Sequence, residues 1–146
     1  DLADSKYTEQ EYVEYLDESM KGFSFAPIVF ASGLQGEGLR ELLGMAANLY
    51  QQAGHRETTG PLNQTIRRII ESRPPRSKLG KAAKIFYVTQ LEVHPPTIGM
   101  WVNDPDLFDP TYQRFILNHL RDELPFSEVP IKLSIRRRGQ RHADEG

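Results

Sequence analysis

The 146-residue chain contains no cysteine. That excludes a disulfide framework and any thiolate metal site, and it fits a reducing, cytoplasmic compartment. No apolar run approaches the roughly 20 residues needed to span a bilayer, so no membrane partner is expected. No G-x-x-x-x-G-K-[ST] segment occurs. The backbone cradle and lysine that hold nucleotide phosphates are therefore missing, and the chain cannot by itself transfer phosphoryl groups in that way. H-E-x-x-H and G-x-S-x-G are also absent, which removes the usual zinc-hydrolase and nucleophile-elbow readings. The histidines (His55, His94, His119 and His142) are scattered. No carboxylates cluster at ligand spacing, so neither a metal site nor a catalytic residue is expected.

What is present divides the chain in two. Residues 1–54 hold three Lys/Arg against nine Asp/Glu, whereas residues 55–146 hold fifteen against eleven. The window 67–84 is the most basic, with Arg67, Arg68, Arg73, Arg76, Lys78, Lys81 and Lys84 opposed only by Glu71. Such asymmetry points to two units with different partners, one of them polyanionic. A solvated basic face is the plainer account of the same charge.

Residues 8–21 read as a helix. Thr8 and Glu11 have capping-box spacing, and Val13, Leu16 and Met20 make one apolar face. The wholly apolar run 27–31 reads as a strand covered on both faces. A glycine-rich turn (32–38) and a helix carrying Leu39, Leu42, Leu43, Ala46, Leu49 and Tyr50 follow. A lone buried strand cannot satisfy its own backbone, so 1–54 is expected to be the tail of a larger α/β domain. Residues 55–60 read as a polar linker, and Pro61 opens a helix that Pro74 and Pro75 end. The segment 84–93 alternates like a strand, with Ile85, Tyr87, Thr89 and Leu91 on one face and Phe86, Val88 and Gln90 on the other. A second strand from Thr97, a helix opened by Asp109 and Pro110, and a third strand after Pro130 complete the pattern. The expected unit, 61–138, is α+β: helix, strand, strand, helix, strand, with a three-stranded sheet and helices on one side. Residues 139–146 read as a polar tail.

Gly33-Leu34-Gln35-Gly36 spells G-x-x-G, the backbone clamp of KH domains, but it follows an apolar run inside the acidic unit instead of joining two helices. The glycines of the basic unit (Gly60, Gly80, Gly99, Gly139) never fall three apart. The turn at Ser32, Gly33 and Leu34 has another reading. Ligands of α/β sheets sit beyond the strands' carboxyl ends, where a small residue lets a backbone N–H approach a base edge. An ordinary strand-to-helix turn explains it equally. The basic window and Arg136, Arg137 and Arg138 suit RNA phosphates. Phe86, Tyr87 and Trp101 could stack bases, but they alternate on strands and at least half should be core.

Together these residues resemble the C-terminal part of a Der/EngA-type tandem GTPase, a bacterial ribosome-assembly family. A-P-I-V-F-A-S-G-L-Q-G-E-G-L at 26–39 is similar to the family's fifth guanine-nucleotide motif and following helix. The family usually has Ser-Ala where this chain has Ser32-Gly33. Asp1-Leu2 resembles the end of the Asn-Lys-x-Asp motif. Downstream, Leu62-Asn63, Arg73-Pro74-Pro75, Lys84-Ile85, Thr89-Gln90, Pro95-Pro96-Thr97, Val102-Asn103-Asp104, Tyr112 with Arg114, Asn118 with Leu120-Arg121 and Pro130-Ile131-Lys132-Leu133 all fall in family order.

The resemblance implies that 1–54 end the second P-loop GTPase domain and that 61–138 form a KH-like domain without the glycine clamp. It implies a guanine site touching Asp1, Ser32, Gly33 and Leu34, with GTP or GDP and Mg held by the whole protein. It implies binding to large-subunit rRNA and docking on the upstream GTPase domains. The basic connector and tail would hold phosphates while the sheet packs on a GTPase domain. The rival reading is a KH-like docking module that touches no RNA. A free-standing enzyme is a third, which the missing cradle opposes; the chain alone is expected to be inactive.

Overall fold

The computed structural model describes residues 8–76 and 80–139. The helix Glu9–Ser19 (α1) starts at a complete capping box: Glu11 N–H donates to Thr8 Oγ1 at 3.3 Å, and Thr8 N–H donates to the Glu11 carboxylate at 2.6 Å. The second helix, Leu39–Gly54 (α2), runs one turn further than its apolar pattern suggests. The third, Thr59–Ser72 (α3), begins two residues before Pro61. Proline fits there because the first-turn N–H groups of a helix have no intrahelical acceptor.

Residues 27–31 form no strand. A strand is completed by a neighbour's backbone, and no described residue pairs with this run. Ile28 and Phe30 are instead exposed.

From α3 onward the order is the expected one: β1 (Ile85–Glu92), β2 (Thr97–Val102), a 3-10 turn (Pro105–Leu107), α4 (Pro110–Glu123) and β3 (Lys132–Arg137). The sheet order is β1-β2-β3. A tight turn makes β1 and β2 antiparallel, while the α4 crossover brings β3 back parallel to β2. Asp109 caps α4 by accepting from Tyr112 N–H at 2.8 Å. Leu62, Ile66 and Ile69 of α3 and Ile116 and Leu120 of α4 meet Val88, Ile98, Met100 and Val102 of the sheet in one buried cluster with Phe108 and Phe126. Each such side chain contributes about 1.5–3 kcal/mol by leaving water. Both helices therefore cover one face and leave the other free of helix.

A bulge at Phe86 corrects the expected faces of β1. Ile85 pairs with Val102 and Tyr87 with Trp101, so the extra residue falls between them. Ile85 consequently joins Val88 and Gln90 against the helices. Tyr87 and Thr89 lie on the open face with Trp101 and Gly99.

The free edge of β1 is closed by side chains. Asn63 Nδ2 donates to Val88 O at 2.7 Å, and Asn63 Oδ1 accepts from Val88 N–H at 3.0 Å. A carboxamide carries one donor group and one acceptor, so it can replace a neighbouring peptide. The linker completes the edge. Arg56 Nη1 donates to Gln90 O at 3.2 Å, and the buried Gln90 side chain accepts from Glu57 N–H at 2.7 Å while donating to His55 O at 2.9 Å. Residues 55–57 are thus bonded to the sheet. No helix among the described residues is long and apolar enough to cross a membrane.

Replacing Asn63 by alanine strands two backbone groups at once. Asn63→Ala should lower unfolding stability by about 1–3 kcal/mol. Urea denaturation of the chain will show this as a lower midpoint at constant slope; a wild-type midpoint would mean water closes the edge as well as the amide does.

Candidate nucleic-acid interface

The basic residues singled out in the sequence do not form one patch. Arg67 projects from α3 into a groove along the free edge of β1, lined also by Asn63, Gln64, Glu71, Phe86 and Tyr87. Just past β3, Arg138 N–H donates to Val102 O at 2.9 Å, one step beyond the Val102–Arg137 pair. The Arg138 guanidinium lies 4.6 Å from the Phe86 ring centre. Arg67 and Arg138 therefore flank one half-exposed aromatic. Arg68 is spent on Glu123 at 2.5 Å, and Arg137 on Asp104 at 3.0 Å.

Arg73 and Arg76 belong to a second place, a cleft between the end of α3 and the start of α4 with Pro74, Asp109, Thr111 and Phe115. Arg73 stacks over Phe115 at 5.2 Å. Tyr112 fixes this corner: its hydroxyl donates to Arg73 O at 2.6 Å. Burial pushes the phenol up to about 12, against a smaller lowering effect of Arg73. Lys81 and Lys84 are exposed on the connector, whose course Asn103 sets. Asn103 Oδ1 accepts from Lys84 N–H at 2.8 Å, and its Nδ2 donates to Ala82 O at 2.9 Å. Lys78 lies outside the described residues. Arg136 is on the open sheet face, level with Trp101.

The loop after residues 27–31 is closed on Ser32, which is 6% exposed. Ser32 N–H donates to Glu37 O at 2.9 Å, Ser32 O accepts from Gly36 N–H at 2.9 Å, and Ser32 Oγ accepts from Gln35 N–H at 3.0 Å. Gly33 and Leu34 stand exposed at the tip. A Cβ at Gly33 would meet nothing within 4 Å, so the alanine common in the resembling family fits without change. Gly38 is different: with φ +70° and a Cβ position 2.2 Å from Phe30 O, it admits no side chain. Asp1 lies outside the described residues.

The acidic half is attached to the basic half at several points. Gln52 Nε2 donates to Glu128 Oε2 at 2.6 Å, and Glu128 N–H returns to Gln52 Oε1 at 3.1 Å. In the β1–β2 turn, His94 N–H donates to Ala53 O at 2.9 Å, and its ring stacks on Tyr50 at 4.5 Å. The Arg121 guanidinium sits 4.0 Å over the Phe25 ring, and burial pushes its pKa down. Sequence reasoning missed Asn63, Gln90 and Asn103 as the residues that hold this interface in shape. The available signal was a carboxamide at a core-facing strand position, as at Gln90.

Two helices on one face of a β1-β2-β3 sheet, with no clamp glycines between helices, define a KH-like module. A family model described as "KH-domain-like of EngA bacterial GTPase enzymes, C-terminal" matches residues 56–136, more than half of the chain. The chain belongs to this EngA family. It is 39% identical over 143 residues to the GTPase Der of Rhodopirellula baltica, covering 98% of this chain and 32% of that protein. It is 41% identical over 117 residues to the GTPase Der of Persephonella marina, covering 80% and 26%. For the GTPase Der of a Sulfurihydrogenibium species the figures are 40% over 136 residues, 93% and 30%. The chain spans between about a quarter and a third of the length of these curated relatives.

The Tyr112 corner gives a pH prediction. The folded phenol holds its proton up to about 12, above its ordinary value of 10.0. The corresponding stability is complete below pH 10 and disappears as pH rises toward 12. Tyr112→Phe should remove this alkaline loss and cost about 1 kcal/mol at neutral pH. Phenolate absorbance and denaturation followed against pH test both halves; an unshifted titration for Tyr112 would refute the burial argument.

Proposed function

We propose that this chain is the ribosome-facing end of a bacterial, cytoplasmic GTPase acting in large-subunit assembly. In this reading residues 61–138 are the KH-like domain, joined by the linker 55–60 and ended by the tail 139–146. Residues 1–54 complete the second GTPase domain. The family match carries the reading, and three structural features support it. The Ser32 loop is tied to itself and holds Gly33 and Leu34 exposed at its tip, where in this reading they reach a guanine edge. Tyr15, Phe23, Leu43 and Tyr50 are exposed, a surface for the rest of a GTPase domain to cover. Arg67, Arg138, Arg73 and Arg76 have no carboxylate partner among the described residues, which leaves their charge for phosphates.

GTP or GDP, with Mg, is the ligand of the whole protein in this reading. This chain supplies one rim of the base site and no phosphate cradle, so alone it neither retains nor hydrolyses nucleotide. Its KH-like domain binds rRNA, with Lys78, Lys81 and Lys84 on the connector adding to the arginines. Docking on the GTPase domains runs through α2, whose last turn is already fixed to the β1–β2 turn and to Glu128.

The second reading, a docking module without RNA, draws on Arg68 and Arg137, whose charges carboxylates already neutralise. Salt dependence separates the two. An RNA fragment bound by the chain should dissociate with a log–log slope near −0.7 for each phosphate neutralised, if its contacted part is single-stranded. Arg67→Glu and Arg76→Glu should each reduce that slope by about one phosphate's share or more and leave the unfolding curve unchanged. A flat salt response, or variants that bind like wild type, would favour docking alone.

A further inference from the structure

The helix-free face of the sheet carries a row of side chains that phosphate binding does not use. Tyr87, Trp101 and Arg136 are register neighbours across β1, β2 and β3. The Tyr87 and Trp101 ring centres are 5.6 Å apart, with planes at 47°. Tyr87 is 45% exposed. The next row is Thr89, Gly99 and Ser134. Gly99 matters for its missing side chain: a Cβ there would lie 2.9 Å from the far edge of the Trp101 indole and 3.0 Å from Leu91. The indole therefore lies along β2, over Gly99, and does not stand off the sheet. Arg136 Nε donates to Ser134 Oγ at 3.1 Å. The last row is Glu92, Thr97 and Lys132, and Glu92 is the one carboxylate among these paired rows.

We propose that this face is a stacking platform for unpaired bases of single-stranded RNA, with Trp101 and Tyr87 each taking a base and Arg136 and Lys132 meeting the backbone beside them. Flat aromatic side chains on an open sheet accept any base, because every base has a π-face. The hydroxyls of Thr89, Thr97 and Ser134 lie on the same side and suit a ribose 2′-OH or a base edge. Charge argues for this occupant: the aromatic row ends in an arginine, and the neighbouring positions are neutral hydrogen-bonding groups. On the paired rows the cations Arg136 and Lys132 outnumber the one carboxylate, Glu92, which suits a polyanion. Duplex RNA buries its bases, so only single strands fit. The proposal rests on the RNA-binding reading above; the platform adjoins the α3 groove, with which it shares Tyr87, and Trp101 quenching is the signal that belongs to the sheet face alone.

Trp101 is the only tryptophan, so its fluorescence reports directly on this face. An end-labelled oligouridylate titrated into the chain gives two signals: anisotropy for binding anywhere and tryptophan quenching for stacking here. Both should saturate at the same concentration. A duplex RNA of the same length should raise anisotropy without quenching. Tyr87→Ala, at an exposed position, should weaken the single strand about tenfold and leave the unfolding curve unchanged. Binding without quenching and indifferent to Tyr87→Ala would overturn the platform while leaving RNA binding by the arginines intact. Equal quenching by duplex would also overturn it. Tryptophan fluorescence that responds to added GTPase domains of a Der relative, and not to RNA, would make the face a protein dock. Absence of any RNA binding would overturn both this proposal and the reading beneath it.

Discussion

The free edge of β1 is the constraint on which the rest of the module depends. An edge strand has backbone groups that must find partners, and an unpaired buried peptide costs more than a satisfied one gains. Among the described residues no fourth strand supplies them. Asn63 imitates one at Val88, and Gln90 with Arg56 and Glu57 continues the imitation toward the linker. The consequence is geometric. Because Asn63 belongs to α3, pairing it with Val88 fixes how far that helix stands from the sheet edge. That distance sets the groove shared by Arg67 and Phe86. Because Gln90 belongs to β1 and holds His55 and Glu57, the same edge also fixes where α2 ends.

This is why the acidic half, though it leaves much apolar surface open, is not a loose appendage. The last turn of α2 is held from two directions, by the β1–β2 turn through Ala53 and Tyr50 and by Glu128 through Gln52. Gly54 lies under His94, where a Cβ would come within 2.8 Å of the imidazole, so the helix can approach the turn closely. A displacement of α2 would have to break paired hydrogen bonds or move the turn with it. The Ser32 loop lies at the other end of that helix, one short turn before Leu39. In the proposed function, a change at a nucleotide base has a stiff element through which to reach the sheet, with no need of a flexible linker between the halves.

Much of this was legible in the sequence, and the failures have physical causes. The order of elements from α3 to β3 follows from periodicities and prolines that act locally: Pro74 and Pro75 stop a helix, and Asp109 with Pro110 starts one. The composition of 27–31 predicts a strand, but a strand is a relation between two segments, and no described residue supplies the second. The bulge at Phe86 escaped for a related reason. Alternation assigns faces only while the register is unbroken, and one extra residue exchanges them. The polar composition of 55–60 marks a linker but not its bonds, which depend on Gln90, more than thirty positions away. The basic window was legible as charge but not as a surface. Which arginines remain available is decided by Glu123 and Asp104, both distant in sequence.

The same bulge joins the two candidate surfaces. In a regular strand, Phe86 and Tyr87 would point to opposite faces, and one of them would lie beneath α3. The extra residue instead leaves Phe86 at the rim, between Arg67 and Arg138, while Tyr87 enters the open row beside Trp101. Consecutive residues thus offer an aromatic flanked by cations at the edge and another on the flat of the sheet. Arg136 and Arg138 repeat the arrangement on the opposite side of β2, one on the open face and one over the Phe86 ring. A flexible polyanion could follow that rim from its phosphate contacts onto the sheet without a gap in favourable chemistry. A rigid duplex could meet only the rim, since its bases are already paired and stacked.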